Sequence, residues 1–439
     1  MSHVDEGGAP LPRASPLRQR AFRRLWVGGL VSDLGDWTLL VALPVAVFEL
    51  TGSALTTSSV FVVELLAGLL AGQLGGVLVD RWDRRRLLVA TALIQAVALL
   101  PLLLVASADQ LAIVFVVAAV QSGLARLSGP AKTALVPTLV EADQLAAANG
   151  LSATADNLAR LVGSPLGGLA IALVGLPGVV LIDAVTFLAA AASFVGIRTA
   201  TTGHDAETAK DGDGLAADGA PAPAESLRAA WLDGLRVIRR DGRLAAVLGI
   251  AALSQVAQGI FVVLFVVFVL EALDGSGTEV GLLRGVQAVG GIIGGLLVAR
   301  LARRLGVRTL IGGGFLAFGV LSLITWNLPA VTTAIGVYAA LFVLAGIPGV
   351  ATSTGLLTTV QTLTPGTHLG RVVAAFEAGA ALLAAAGVLL AGALADSVGI
   401  IRILDVQAGI YLVCGLLALI ALRPRTERPA AAVTPVSTS

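Results

Sequence analysis

The chain has 439 residues, 56% of them hydrophobic and only 13% charged, with a formal net charge of +1 and a mean hydropathy of +0.92. Ordinary soluble domains carry roughly 25% charged residues, so a water-soluble globule is excluded, since it would expose large apolar patches. The near-neutral balance gives no basis for nucleic-acid binding, and a lone cysteine, Cys414, allows no internal disulfide and no cysteine metal site.

Residues 1–24 form a polar tail with Pro10, Pro12, Pro16 and a basic cluster, and are expected to be cytoplasmic. No apolar core precedes a small-residue cleavage site, so the first apolar span is expected to act as an uncleaved anchor. A membrane helix needs about 20 apolar residues. Such runs predict spans near 25–48, 54–79, 87–106, 110–130, 146–173 and 177–197, a first bundle over 25–198. The runs are near-continuous, not alternating, which excludes a β-barrel.

Residues 199–242 differ in kind. Positions 199–225 hold Gly, Pro, Ala and acids with little to bury, a composition that predicts disorder. Leu227, Trp231, Leu235 and Ile238 then recur at helical spacing beside Arg228, Arg236, Arg239 and Arg240, as in a surface-lying or plain linker helix. A second bundle over 243–422 follows, with spans near 244–270, 278–299, 308–327, 330–358, 369–395 and 401–421, and a basic tail over 423–439. Arg and Lys favour cytoplasmic loops. Arg13, Arg18, Arg20, Arg23, Arg24, Arg81, Arg84, Arg85, Arg86, Lys132, Arg300, Arg303, Arg304, Arg308, Arg371 and Arg423 all fall on one side if both termini are cytoplasmic, while the other loops carry mainly acids.

The chain repeats itself. GGVLVDRWDRR at 75–85 aligns without a gap on GGLLVARLARR at 294–304, each ending the second helix of its bundle. The fold class predicted is therefore an all-α membrane protein of twelve transmembrane helices in two pseudo-symmetric six-helix bundles. Duplicated bundles of this kind place a site near mid-membrane and work by alternating access.

The segment from Gly76 through Asp80, Arg81, Arg84 and Arg85 resembles the loop signature of the major facilitator superfamily, with Asp83 where that pattern has Gly. Phe22 to Trp26, Ser32 to Trp37, Gly129-Pro130-Ala-Lys132 and Asn149 resemble the bacterial branch of macrolide and enterobactin exporters. Gly163, Pro165, Gly167 and Gly168 resemble the superfamily's antiporter motif in the fifth helix. The resemblance implies that the loop is a cytoplasmic latch, with Asp80 meeting the start of the eleventh span near His368 to Arg371, and Arg81 and Arg84 reaching acids or carbonyls of adjacent helices.

Ionisable groups at membrane depth mark function by default. Asp33 and Asp36 are three residues apart on one helix face and cannot both ionise easily in a low dielectric, so either they line a cavity and carry a proton, or one of them only holds helix contacts or caps a local turn around Gly35. Glu64 is expected at mid-span, as a proton or cationic-substrate group or as a structural hydrogen bond. Asp156 and Arg160, four apart, either neutralise each other or leave Arg160 facing the cavity. Asp183 reads as a packing hydrogen bond, Glu377 as a member of the second wall, and Arg126 and Arg284 as cations nearer span ends. No phosphate-cradling loop, metal-ligand set or nucleophile–base set is present, so an enzyme is not expected.

The function expected is proton-coupled export of a drug-like or siderophore-like molecule, amphipathic or cationic, by a monomer in the inner membrane with the proton gradient as energy source and no cofactor. Uptake of a small nutrient is the alternative on the same fold, and a non-transporting scaffold the alternative outside it.

Overall fold

The computed structural model describes residues 15–141, 144–197, 236–301, 306–364 and 366–422, and their side chains except at 73–81, 146, 299, 301, 361, 366–371 and 374. All regular structure among these residues is helical. The first bundle comprises α1 (Arg20–Thr51), α2 (Ala54–Arg81), α3 (Arg84–Leu99), α4 (Leu111–Leu139) and α5 (Leu145–Val195). The second comprises α6 (Gly242–Val267), α7 (Gly277–Leu301), α8 (Val307–Asn327), α9 (Ile335–Leu363), α10 (Gly366–Val398) and α11 (Ile400–Ala421). Among the described residues, eleven helices are long and apolar enough to cross a bilayer. The 199–225 stretch and most of the expected helix after it lie outside the described residues.

Twelve spans arise from eleven helices because α5 is double. Its 51 residues would stretch about 76 Å at 1.5 Å per residue, against about 30 Å of hydrocarbon. The break is at Gly175, with φ 64° and ψ −177°, a combination open essentially to glycine alone, and Pro177 follows. Contacts show that the two arms run antiparallel. The Trp26 indole donates to Leu151 O at 2.8 Å, and Ser193 Oγ donates to Arg24 O at 2.8 Å, so both arms reach the start of α1. Halfway up, Gly163 packs on Leu34 while Asp183 packs on Gly35.

The pairings of the two bundles match. In the first, α2 packs on α4, and α3 on α4 and on α5; in the second, α7 packs on α9, and α8 on α9 and α11. The bundles meet through α5 against α7 and α2 against α10. The apolar core shows where they fuse. One cluster draws on both bundles, including Val45, Val47, Val60, Leu264, Phe265, Phe268 and Val388, and lies toward the end bearing Gly52 and Gly399. Toward the opposite end each bundle has its own core: Phe22, Leu88, Leu135 and Phe194 in one, Leu244, Ile311, Val360 and Cys414 in the other. The molecule is joined at one end and divided at the other.

Candidate functional site

Lys132 falls inside α4, not in a loop as its role in the charge count implied, because α4 continues through Pro130 and Pro137 to Leu139. Its Nζ lies 2.7 Å from Asp33 Oδ1, joining α4 to α1. This pair lines a cavity of about 300 Å³ between α1, α4 and the first arm of α5, together with Trp26, Asn149, Ser152 and Asp156. Lys132 was legible only as topology, yet an amine in the same span as Gly129 and Pro130 is the natural counter-ion for an acid on a neighbouring helix.

Asp36 does not share that cavity. It lines a second one, of about 260 Å³, with Trp37, Glu64, Gln121 and Ser122 between α1, α2 and α4. Although their spacing puts Asp33 and Asp36 on one helix face, Lys132 holds Asp33 toward one space while Asp36 turns to the other. Among the described residues neither Asp36 nor Glu64 has a cation within 4 Å. Ser122 Oγ donates to the backbone oxygen of Glu64 at 2.6 Å, leaving the carboxylate free for the cavity.

Behind Asp36 stands Asp183, fully buried on the second arm of α5. Thr186 Oγ1 donates to its Oδ1 at 3.1 Å, and Oδ2 has no partner among the described residues. Gly35 permits the approach, since a Cβ there would collide with Asp183 Oδ1 and Thr186 Oγ1.

Arg160 does not pair with Asp156, although their spacing allowed it. Its guanidinium stacks 5.8 Å from the Trp37 ring centre, and Nη2 donates to Gln287 Oε1 of α7 at 3.3 Å. The arginine thus crosses between bundles while Asp156 stays exposed to the lower cavity. Arg284, one turn before Gln287, stacks on Phe261 and Phe265 at 5.7 and 5.9 Å. Nothing local in the sequence distinguishes Gln287 and Arg284, whose partners lie on other helices.

The Gly/Pro motif forms the seam. A Cβ at Gly168 would strike the backbone oxygen of Gly277, one at Gly281 the backbone oxygen of Ser164, and one at Gly285 the Pro165 ring at 2.6 Å. Gly167 faces the Thr38 carbonyl, and Gly163 accepts from Thr38 Oγ1 at 3.2 Å. Small residues let membrane helices approach backbone to backbone. On the α2–α10 side, Gly392 packs on Ser58 in the same way.

In the loop signature, the side chains of Gly76, Asp80 and Arg81, and those of the His368 to Arg371 segment expected to face them, lie outside what the structure describes. Arg84 Nη1 donates to Ala134 O at 3.3 Å, and Arg85 Nε donates to Phe194 O at 3.3 Å while its Nη2 donates to Val195 O. Asp83 has a local reason: its Oδ1 accepts from Arg86 N at 2.7 Å and caps α3. Glu377 is exposed on α10 and lines neither acid-bearing cavity.

Two bundles fused at one end over buried acids define a multi-pass membrane transporter of the major facilitator type. The profile of the transmembrane secretion effector family, a branch of that superfamily, matches residues 12–436, and the chain belongs to this family. It is 27% identical over 174 residues to the uncharacterized MFS-type transporter YfiS of Bacillus subtilis (strain 168), a match spanning 39% of this chain and 41% of that relative. Among solved structures it is similar to a bacterial homologue of the iron transporter ferroportin in the inward-facing state, at 18% identity and TM-score 0.67 over 92% of this chain and 97% of that one. It is also similar to the nucleoside transporter NupG, at 11% identity and TM-score 0.74 over 92% and 100%. The peptide transporter POT aligns at 12% identity and TM-score 0.70 over 93% and 98%. These likenesses are of fold.

Proposed function

We propose that the chain is a proton-coupled exporter that moves an amphipathic small molecule outward by alternating access, as a monomer in the cell inner membrane with both termini cytoplasmic. The observation that carries this reading is the placement of Asp36 and Glu64, two acids with no cation within 4 Å among the described residues, on one cavity beside the joined end of the bundles. An acid held in an apolar span without a cation is a natural seat for a proton. Asp33 and Asp156, with Lys132, form the entry side of the same path.

The divided end supports the cycle. With the fused core on one side, cargo enters from the other; rocking of the bundles would part the α5–α7 and α2–α10 seams and close the divided end. The loop from Gly76 to Arg85 would latch that closure, with Arg84 and Arg85 anchoring it to α4 and α5 of the first bundle.

The test is efflux of a lipophilic fluorescent dye from cells producing the protein, with and without a protonophore. Efflux should collapse with the gradient, and Asp36→Asn or Glu64→Gln should remove most of it. Efflux indifferent to the proton gradient would overturn the reading.

A further inference from the structure

We infer that the junction of α5 and α7 recognises an anionic head group, a carboxylate or sulfonate, on the amphipathic cargo, through Arg160 from one bundle and Arg284 from the other. The inference rests on the proposed transport of an amphiphile and adds the sign of its charge.

Both arginines sit within apolar spans, Ala147–Val195 and Gly277–Val298. A cation at that depth ordinarily pairs with an acid or with backbone carbonyls. Among the described residues neither does so. There Arg160 has one hydrogen bond, to the neutral amide of Gln287 at 3.3 Å, and Arg284 has its ring contacts with Phe261 and Phe265. A guanidinium carries five N–H donors, so most of the donors of both side chains are open.

The two arginines stand on facing helices across the α5–α7 junction. Gln287 explains the proximity: it accepts from Arg160 and lies one turn beyond Arg284 on the same helix. Like charges gathered in a low dielectric repel, and an anion between them removes the repulsion. The acids nearby are occupied or turned elsewhere. Asp33 is paired with Lys132, Glu279 Oε2 accepts from Ser276 N and Oγ at 2.7 and 2.6 Å, Asp156 lines the lower cavity, and Asp36 and Glu64 share the other cavity.

The chemistry of the site follows. Planar guanidinium forks suit the two oxygens of a carboxylate, and a ring face behind each arginine orients the fork. Trp37, half-buried beside Arg160, supplies apolar surface for the body of the cargo, while Phe261 and Phe265 are buried and back Arg284. Because each bundle contributes one cation, a bound anion bridges the seam and loses one partner when the bundles part. Binding and release are thereby tied to the same motion.

The test is thermal unfolding of the purified full chain in detergent, read by a thiol-reactive dye at Cys414, the lone cysteine, which is 0% exposed in the fold. Phenylbutyrate, phenylbutanol and phenylbutylamine serve as probes of one apolar body with three charges. Phenylbutyrate should raise the unfolding temperature saturably, and the other two should not. Arg160→Gln and Arg284→Gln should each abolish the shift, while Arg284→Lys should keep part of it. The unfolding transition of each variant shows that it is folded. Equal stabilisation by the alcohol or amine, a shift that survives both Gln variants, or no shift with any probe would overturn the inference. Dye efflux and its dependence on the proton gradient are read separately, so failure here leaves the transport reading standing, and failure there does not decide this one.

Discussion

Lys132 Nζ lies 2.7 Å from Asp33 Oδ1, an ion pair that ties α4 to α1. Its side chains are 24% and 23% exposed, so the contact faces the cavity but is far from fully hydrated. Removing one partner of a buried pair costs about 3–5 kcal/mol, and partial hydration reduces that to about 1–2 kcal/mol here. Lys132→Gln and Asp33→Asn should each lower the unfolding midpoint, and the double variant should recover part of the loss. A double-mutant cycle with no coupling would refute the pairing.

Gly35 marks a second tight place. A Cβ at this position would strike the Asp183 carboxyl and the Thr186 hydroxyl, and overpacking of this sort costs typically about 1–3 kcal/mol. Gly35→Ala should destabilise the protein on its own. Combined with Asp183→Ala, which empties the space, it should cost less than the sum of the two changes. Simple additivity in thermal unfolding would count against the contact.

The seam between the bundles offers a conformational test. Because the Gly168 Cα faces the Gly277 carbonyl directly, Gly168→Val should hold α5 and α7 apart without harming either bundle. Ser164, fully buried at the same seam, becomes the reporter. In a Cys414→Ser background, Ser164→Cys should react slowly with a maleimide, and the added Gly168→Val should speed that reaction several-fold while transport falls. Unchanged reactivity would show that the seam tolerates the side chain.

Asp83 separates two uses of one loop position. It caps α3 through Arg86 N at 2.7 Å, and loss of a cap to Ala costs roughly 1 kcal/mol, with Gly costing only a few tenths. Asp83→Ala should therefore lower thermal stability more than Asp83→Gly. The order of the two midpoints is the measurement, and a reversed order would remove capping as the reason for the acid.

The spans were legible because each is a long apolar run, and the duplication because the C-terminal ends of α2 and α7 repeat the same glycines and arginines. The acids were legible as exceptions within those runs. Their partners were not. Asp156 and Arg160 stand at a spacing that favours a local pair, yet Arg160 reaches across to Trp37 and Gln287, a choice made by the packing of α5 on α1 and α7. Asp33 and Asp36 share a face by spacing, yet a lysine from α4 draws one of them into a different cavity. Lys132 itself reads as a loop charge because Pro130 looks like the end of a helix. The helix α4 runs on through Pro130 and carries it into the span. Gly175 likewise reads as a loop between two spans, whereas it is one residue in a rare conformation.

That single residue leaves little outside the bilayer. With the chain reversing at Gly175 and Pro177, the fifth and sixth spans share no free segment for a protease to enter or an antibody to grip. Digestion of intact membranes from that side should leave 145–195 as one piece, even where other connections are cut.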